Sequence, residues 1–252
     1  SLTNIQSYNN SDVFVVCDGM GGHVGGATAS QTAVSCILSY FKGSPHPNPI
    51  IALEKAISLA NSEIYSISTN NSELKGMGTT CVVLLNLDNS IYIAHVGDSR
   101  IYINTDNKIY RLTKDHSFVQ KLVDAGQLAD HEMETHPRKN ELTKALGISK
   151  NVVVEVSQEP IFAKAGDKFL LCSDGLCGLV NDMTILNTLN NKSGHDAVDE
   201  LIQLAENAGG NDNISADLVC VIESNYDKST FVDKGNPKFL AEETQIITAN
   251  DL

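Results

Sequence analysis

Positive charge is scarce in this chain: 18 Lys and Arg stand against 31 Asp and Glu, a formal net charge of -13 over 252 residues. That balance argues against nucleic-acid and anionic-membrane partners, which bind clustered basic side chains with release of counterions. No apolar run approaches about 20 residues and no charged-then-apolar leader opens the chain, so no segment reads as spanning or crossing a membrane. The six cysteines include no pair at the two-residue spacing of a zinc knuckle. They sit in apolar runs, Cys17 in "FVVC", Cys172 in "FLLC" and Cys220 in "LVCVI", and read as buried, reduced side chains of a cytoplasmic protein. None has an arginine six positions on, which closes the route to a cysteine-phosphatase anion cradle. No Gly-Lys-Ser/Thr follows the glycines, which excludes a P-loop. Internal repeats and low-complexity segments are also missing.

What is present is ample apolar content, 42%, enough for one large domain or two small ones. Ala33, Val34, Ile37, Leu38 and Phe41 predict a helix over about 27 to 41. Asn48 and Pro49 read as the cap and first turn of a second helix carrying Leu53, Ile57, Ala60, Ile64 and Ile67. From Thr80, "CVVLLNL", "IYIAHV", "RIYIN" and "KIYRL" alternate with turn residues, as in an antiparallel meander. Residues 115 to 147 form a polar, helical, His-rich insertion with Asp115 and Gly147 as its caps. Strands resume at "NVVVEVSQEPIF" and "DKFLLCSDG", and Asp182 caps a short helix. Val198, Leu201, Ile202 and Ala205 share a face of the last helix, and "ISADLVCVI" closes the core. The fold class is α+β: two mainly antiparallel sheets packed face to face with helices outside. Residues 1 to 223 form the domain, and 224 to 252 a flexible polar extension.

The stretch "VFVVCDGMGGHVGGATAS" poses the functional question, because an apolar strand ends there in Asp18 and a run of glycines. Asp174 in "FLLCSDG" and Asp212 in "GNDNIS" also sit at strand ends, and Asp98 lies in the turn after "IYIAHV". Singly, each is an ordinary turn residue. If the sandwich gathers them, each pair about 4 Å apart repels by about 4 kcal/mol at an effective dielectric of 20. Six pairs at slightly larger separations would cost roughly 15 kcal/mol, against a net stability of about 5–15 kcal/mol. Either the carboxylates are dispersed or hard cations hold them. Oxygen-only donors favour Mg²⁺ or Mn²⁺ over zinc. Glycine would let a carbonyl such as that of Gly19 join the ligand set.

Rival readings use the same residues. Gly19, Gly21 and Gly25 follow a strand and precede a helix, a relaxed dinucleotide fingerprint, but residues 24 to 53 contain no Asp or Glu for a ribose hydroxyl. His116 and His136 read equally as hydrogen-bonding residues and as proton donors, His131 belongs to the same insertion, and His23 follows the glycines closely enough to protonate a leaving group. Arg100 reads as a structural charge partner.

Seven strings in order, "VVCDGMGGH", "GMGTTCVV", "AHVGDSRIY", "LTKDHSFVQKLVDAGQL", "HPRKNELTKALG", "LLCSDGL" and "GGNDNIS", resemble the metal-dependent type 2C (PPM) Ser/Thr protein phosphatases in their short bacterial form. The resemblance covers residues 13 to about 222. It implies a β-sandwich flanked by helix pairs, in α/β/β/α layers, with a binuclear Mn²⁺ or Mg²⁺ centre and a weaker third ion. Asp18 would bridge both metals, the Gly19 carbonyl would bind one, Asp174 and Asp212 would hold the other, and Asp98 would share the third with Asp174. Asp18, Asp174 and Asp212 would thus be the catalytic residues, and 115 to 147 the flap beside the substrate groove.

The implied reaction is hydrolysis of phosphoserine and phosphothreonine in proteins by metal-activated water, reversing a bacterial Ser/Thr kinase, in a cytoplasmic monomer. The alternatives are a pseudophosphatase acting as a binding module and a hydrolase of small phosphoesters. One departure stands out: "SLTNIQSYNNSD" holds neither the family's phosphate-gripping Arg nor its Asn-Glu/Gln-Asp signature, so the native chain is expected to begin earlier. Met20 stands where some relatives carry an acid His, leaving a metal-bound water as candidate proton donor.

Overall fold

The computed structural model describes residues 2–8, 11–88, 90–210, 213–223 and 247–248, the first and last of these as backbone. One sheet has the order β1 (Leu2–Tyr8), β2 (Ser11–Cys17), β5 (Cys81–Leu87), β6 (Ser90–Val96), β10 (Ile161–Phe162), with β9 (Glu155–Val156) also on β6. The second runs β12 (Ala216–Cys220), β11 (Lys168–Cys172), β7 (Arg100–Thr105), β8 (Lys108–Arg111), β13 (Ile247–Thr248). A small third pairing joins β3 (Gly19–Met20) to β4 (Gly78–Thr79). All recorded pairings are antiparallel.

The strands sort their side chains by the two-residue period of the pleat. In β2 and β5, Val13, Val15, Cys17, Cys81, Val83 and Leu85 face helices α1 (Gly22–Lys42) and α2 (Pro49–Asn70). Their neighbours Val16, Val82 and Leu84 face the second sheet, meeting Ile101, Ile103, Phe169 and Leu171. On the far side Tyr102, Leu170 and Cys172 pack under α4 (Asp174–Cys177), α5 (Asp182–Asn191) and α6 (Gly194–Asn207). Three apolar interfaces therefore separate four layers, helix, sheet, sheet and helix, as expected. The chain passes from one sheet to the other between β6 and β7, through Gly97, Asp98 and Ser99.

Several local expectations are corrected. Helix α1 begins at Gly22, five residues before the predicted start, because close backbone packing overrides the poor helix propensity of glycine. A Cβ on Gly26 would lie 2.7 Å from the Gly19 carbonyl oxygen, and one on Gly19 would lie 1.9 Å from that of Gly26. The insertion is helical only over α3 (Phe118–Asp124) and a 3-10 segment, Asp130–Thr135. Ser117, not Asp115, caps α3, its Oγ accepting from the Gln120 N–H at 3.2 Å. Gly147 ends no helix; it turns at φ 82° and donates its N–H to Asn61 Oδ1 at 2.8 Å. Asn181, not Asp182, caps α5.

On α6 the fully buried stripe is Ala197, Leu201 and Ala205, with Val198 and Ile202 half-buried beside it. Cys220 is exposed, because β12 lies at the edge of its sheet. Asn48 caps α2 as expected, accepting from Ile50 and Ile51 at 2.9 and 3.2 Å. Of the C-terminal extension, Ile247–Thr248 pairs with β8 and the rest lies outside the described residues. Among the described residues, no helix is long and apolar enough to cross a membrane.

Gly26→Ala should therefore lower stability by about 1–3 kcal/mol in urea titration, through backbone that must move apart. Gly43→Ala, where a Cβ would meet its nearest atoms at 3.6 Å, should change it by less than about 0.5 kcal/mol.

Candidate functional site

Asp18 extends the β2–β5 ladder past its last named pair. Its carbonyl accepts from the Thr80 N–H and from Thr79 Oγ1, both at 2.8 Å, and its own N–H donates to Thr80 Oγ1 at 3.0 Å. That hydroxyl lies 2.7 Å from Ser99 Oγ in a buried contact. The Asp18 backbone is thus two hydrogen bonds from the turn that carries Asp98. The turn is tight at Gly97, where φ is 109° and a Cβ would meet Thr80 side-chain atoms at 2.7 Å, so only glycine fits.

On the second sheet Cys172 pairs with Arg100. Asp174, the first residue of α4, follows Cys172 by two positions and Asp98 precedes Arg100 by two, and the Asp174 charge acts on the Asp98 carboxyl. Ser173 anchors this end: its Oγ accepts from the Ser215 N–H at 3.0 Å and donates to the Asn213 carbonyl at 3.2 Å. Gly175 lets the same segment approach, since a Cβ there would be 2.5 Å from the Asn213 oxygen. Asp212 itself lies outside the described residues, one position from this anchored stretch.

Burial, then the charges of Asp174 and Asp115, pushes the Asp98 carboxyl up to about 8. Ionising Asp98 beside Asp174 is unfavourable without a compensating positive charge. Asp115 is not a free member of the group. Its carboxylate receives Arg100 at 3.0, 3.2 and 2.7 Å. Burial would raise that carboxyl, but Arg100 and Arg111 hold it below its ordinary value. Arg100 is the structural charge partner expected of it.

The histidines separate. His23 and His131 are exposed, and His136 lies beside the Phe118 ring, over which Arg138 stacks at 3.5 Å. His116 is buried and bonded, its ring stacked on that of His95 with centroids 4.7 Å apart. His116 Nε2 is 2.7 Å from Glu155, whose carboxylate also accepts from Lys144 at 3.1 Å. The hydrogen bond from His116, against partial burial and with help from Lys144, holds Glu155 down at about 2. Burial, then His116, lowers His95 to about 4, so it is neutral near pH 7. Neither His95 nor Glu155 was singled out from sequence; a histidine inside the apolar run "IYIAHV" was the available signal.

A four-layer sandwich with Asp18 and Asp174 just past strand ends and Asp98 in the turn between the two sheets defines the class of protein. The chain belongs to the protein phosphatase 2C family, whose model matches residues 2–223. It is 35% identical over 219 residues to the serine/threonine protein phosphatase PstP of Mycobacterium tuberculosis, covering 87% of this chain and 42% of that protein. The chain thus spans less than half the length of that relative. Identity is also 35% to the serine/threonine phosphatase stp of Listeria monocytogenes, over 85% of this chain and 86% of that one. Among solved structures, the catalytic domain of PstP in complex with two manganese ions superposes with a TM-score of 0.74 at 32% identity, covering 88% of this chain and 91% of that chain.

The Asp98 carboxyl yields a stability prediction. The unfolded chain releases its proton near 4 and the folded protein near 8, so this residue's contribution to stability falls as pH rises between those values. Without divalent cations, Asp98→Asn should melt higher than the parent at pH 8, with the gap closing toward pH 4. Equal melting temperatures at both pH values would contradict the account.

Proposed function

We propose that this domain hydrolyses phosphoserine and phosphothreonine in proteins, in a metal-dependent reaction that opposes a Ser/Thr kinase. The observation that carries the reading is the Asp98 carboxyl at the sheet crossing, where burial and the nearby charge of Asp174 make its ionisation unfavourable without a cation. Family membership supports it, and so do the bacterial phosphatases among its relatives.

Asp18, Asp98 and Asp174 offer the oxygen donors that hard divalent ions take, and burial makes Asp98 unfavourable as a bare anion. Asp18, the Gly19 carbonyl, Asp174 and Asp212 would hold two Mn²⁺ or Mg²⁺ ions, and Asp98 with Asp174 a third. When bound, such ions lower the pKa of water and neutralise phosphoryl charge. The chain's own part is positional. Thr79 and Thr80 fix the Asp18 backbone, Ser173 fixes the entry to Asp174, and Arg100 keeps Asp115 out of the carboxylate group. Residues 115 to 147 would border the substrate groove, residues 1 to 223 would make up the catalytic unit, and the setting would be a cytoplasmic monomer.

Release of phosphate from a phosphothreonine peptide should require Mn²⁺ or Mg²⁺ and stop on chelation. Asp18→Asn and Asp174→Asn should each lower kcat by at least about a hundredfold, the loss of several kcal/mol of charge stabilisation. Turnover of an aryl phosphate but not of the peptide would point instead to a small-phosphoester hydrolase. Peptide binding without turnover in Mn²⁺ would point to a binding module.

A further inference from the structure

His95, His116 and Glu155 bring one potential ligand atom each within 4.8 Å of one another, which suggests a transition-metal site. Proton accounting argues against it at the two Nε2 atoms. His116 Nδ1 accepts the Gly97 N–H at 3.1 Å, so a neutral imidazole carries its hydrogen on Nε2, where it donates to Glu155. His95 Nε2 lies 2.8 Å from the Lys114 carbonyl, which can only accept, so that nitrogen too bears hydrogen. Both Nε2 atoms bear hydrogen and present no lone pair to a metal, and the Lys144 ammonium, 3.1 Å from Glu155 and 3.2 Å from His116 Nε2, already supplies the positive charge there.

The same accounting shows what the cluster does. His116 grips one residue at two points: its backbone N–H donates to the Gly97 carbonyl at 2.9 Å, and its ring accepts from the Gly97 N–H. Its own carbonyl accepts from the Thr143 N–H at 2.8 Å, and the neighbouring Ser117 bridges Leu142, so His116 sits where the two ends of the insertion meet. Glu155 is set opposite His95 by the β6–β9 register and fixes the His116 tautomer from behind. On the other side of the turn, Ser99 reaches Thr80 and through it the Asp18 N–H.

We propose that His116 is a positioning residue for the carboxylate centre: through Gly97 it fixes the turn that presents Asp98, and so joins the base of the 115–147 insertion to divalent-cation affinity. The inference rests on the reading that Asp98 helps hold a cation. By reciprocity, cation binding must then tighten the base of the insertion.

Two substitutions separate the two ring nitrogens. In His116→Asn the amide oxygen stands where Nδ1 stood and can still accept from Gly97. In His116→Gln the amide reaches toward Glu155 and leaves the Gly97 N–H without its partner. Calorimetric titration of the whole chain with Mn²⁺ should show the weakest site within about twofold of the parent in His116→Asn, and about tenfold weaker in His116→Gln, the effect of one buried hydrogen bond. Amide exchange at residues 97–99 should quicken in His116→Gln alone. If His116→Gln does not fold, Glu155→Leu at a half-exposed position frees the ring and should weaken the same site several-fold, roughly.

A packing role alone predicts matched losses of melting temperature in the two His116 variants and no split in Mn²⁺ affinity or exchange; that result overturns the proposal. Asp98→Asn serves as the reference. If it leaves the Mn²⁺ isotherm unchanged, the cation reading of Asp98 fails, and this inference with it. If Asp98→Asn weakens binding while the His116 and Glu155 variants do not, only the positioning role fails.

Discussion

Everything at the candidate centre follows from holding like charges close together on stiff backbone. Asp98 and Asp174 lie close enough for the charge of one to hinder ionisation of the other, and two unit charges about 4 Å apart would repel by about 4 kcal/mol at an effective dielectric of 20. That is a large fraction of the net stability of a domain, so the opposing strands must be clamped by packing that does not yield. Three apolar layers supply it, with β5 buried on both faces and Tyr102 and Phe169 fully enclosed. Close-packed cores resist displacement, which suits a site on strand ends and a short turn better than one on a long loop.

Backbone detail completes the clamp. Glycine appears where a side chain would collide: Gly19 against Gly26, Gly97 against Thr80, Gly175 against Asn213. Hydroxyls then do what the ladder cannot. Thr80 receives the Asp18 N–H in place of a carbonyl, and Ser173 spends its oxygen on the 213–215 segment and not on capping α4. The glycines of the opening motif thus serve close approach between a strand and a helix, and no phosphate loop is needed to account for them.

Much of this was legible in the sequence. Short β-branched and aromatic runs between turn residues disclosed β5, β6 and β7, continuous in apolar character because each is sandwiched between apolar layers, and the carboxylates at 18, 98 and 174 announced themselves by ending apolar runs. The α1 start was misplaced because glycine propensity is a local quantity, whereas Gly26 answers to Gly19 across a tertiary contact. Asp115 looked like a helix cap for the same reason; its partner Arg100 is fixed by the β7–β11 register, not by neighbours in sequence. The His116–Glu155 bond spans 39 positions and the Asp18–Thr80 bond 62, distances over which no residue pattern repeats. Asp212 lies outside the described residues, so its part in the centre stays a proposal.

The crossing from β6 to β7 has a mechanical side. At this end of the sandwich a three-residue turn is the covalent strap between the two sheets, and the acidic groups line that strap and the strands next to it. Any sliding of one sheet over the other would change the spacing of those groups before it disturbed the apolar interior. Ions lodged among them would act as rivets between the sheets, so that pulling the sheets past one another should demand more force in the loaded protein than in the stripped one.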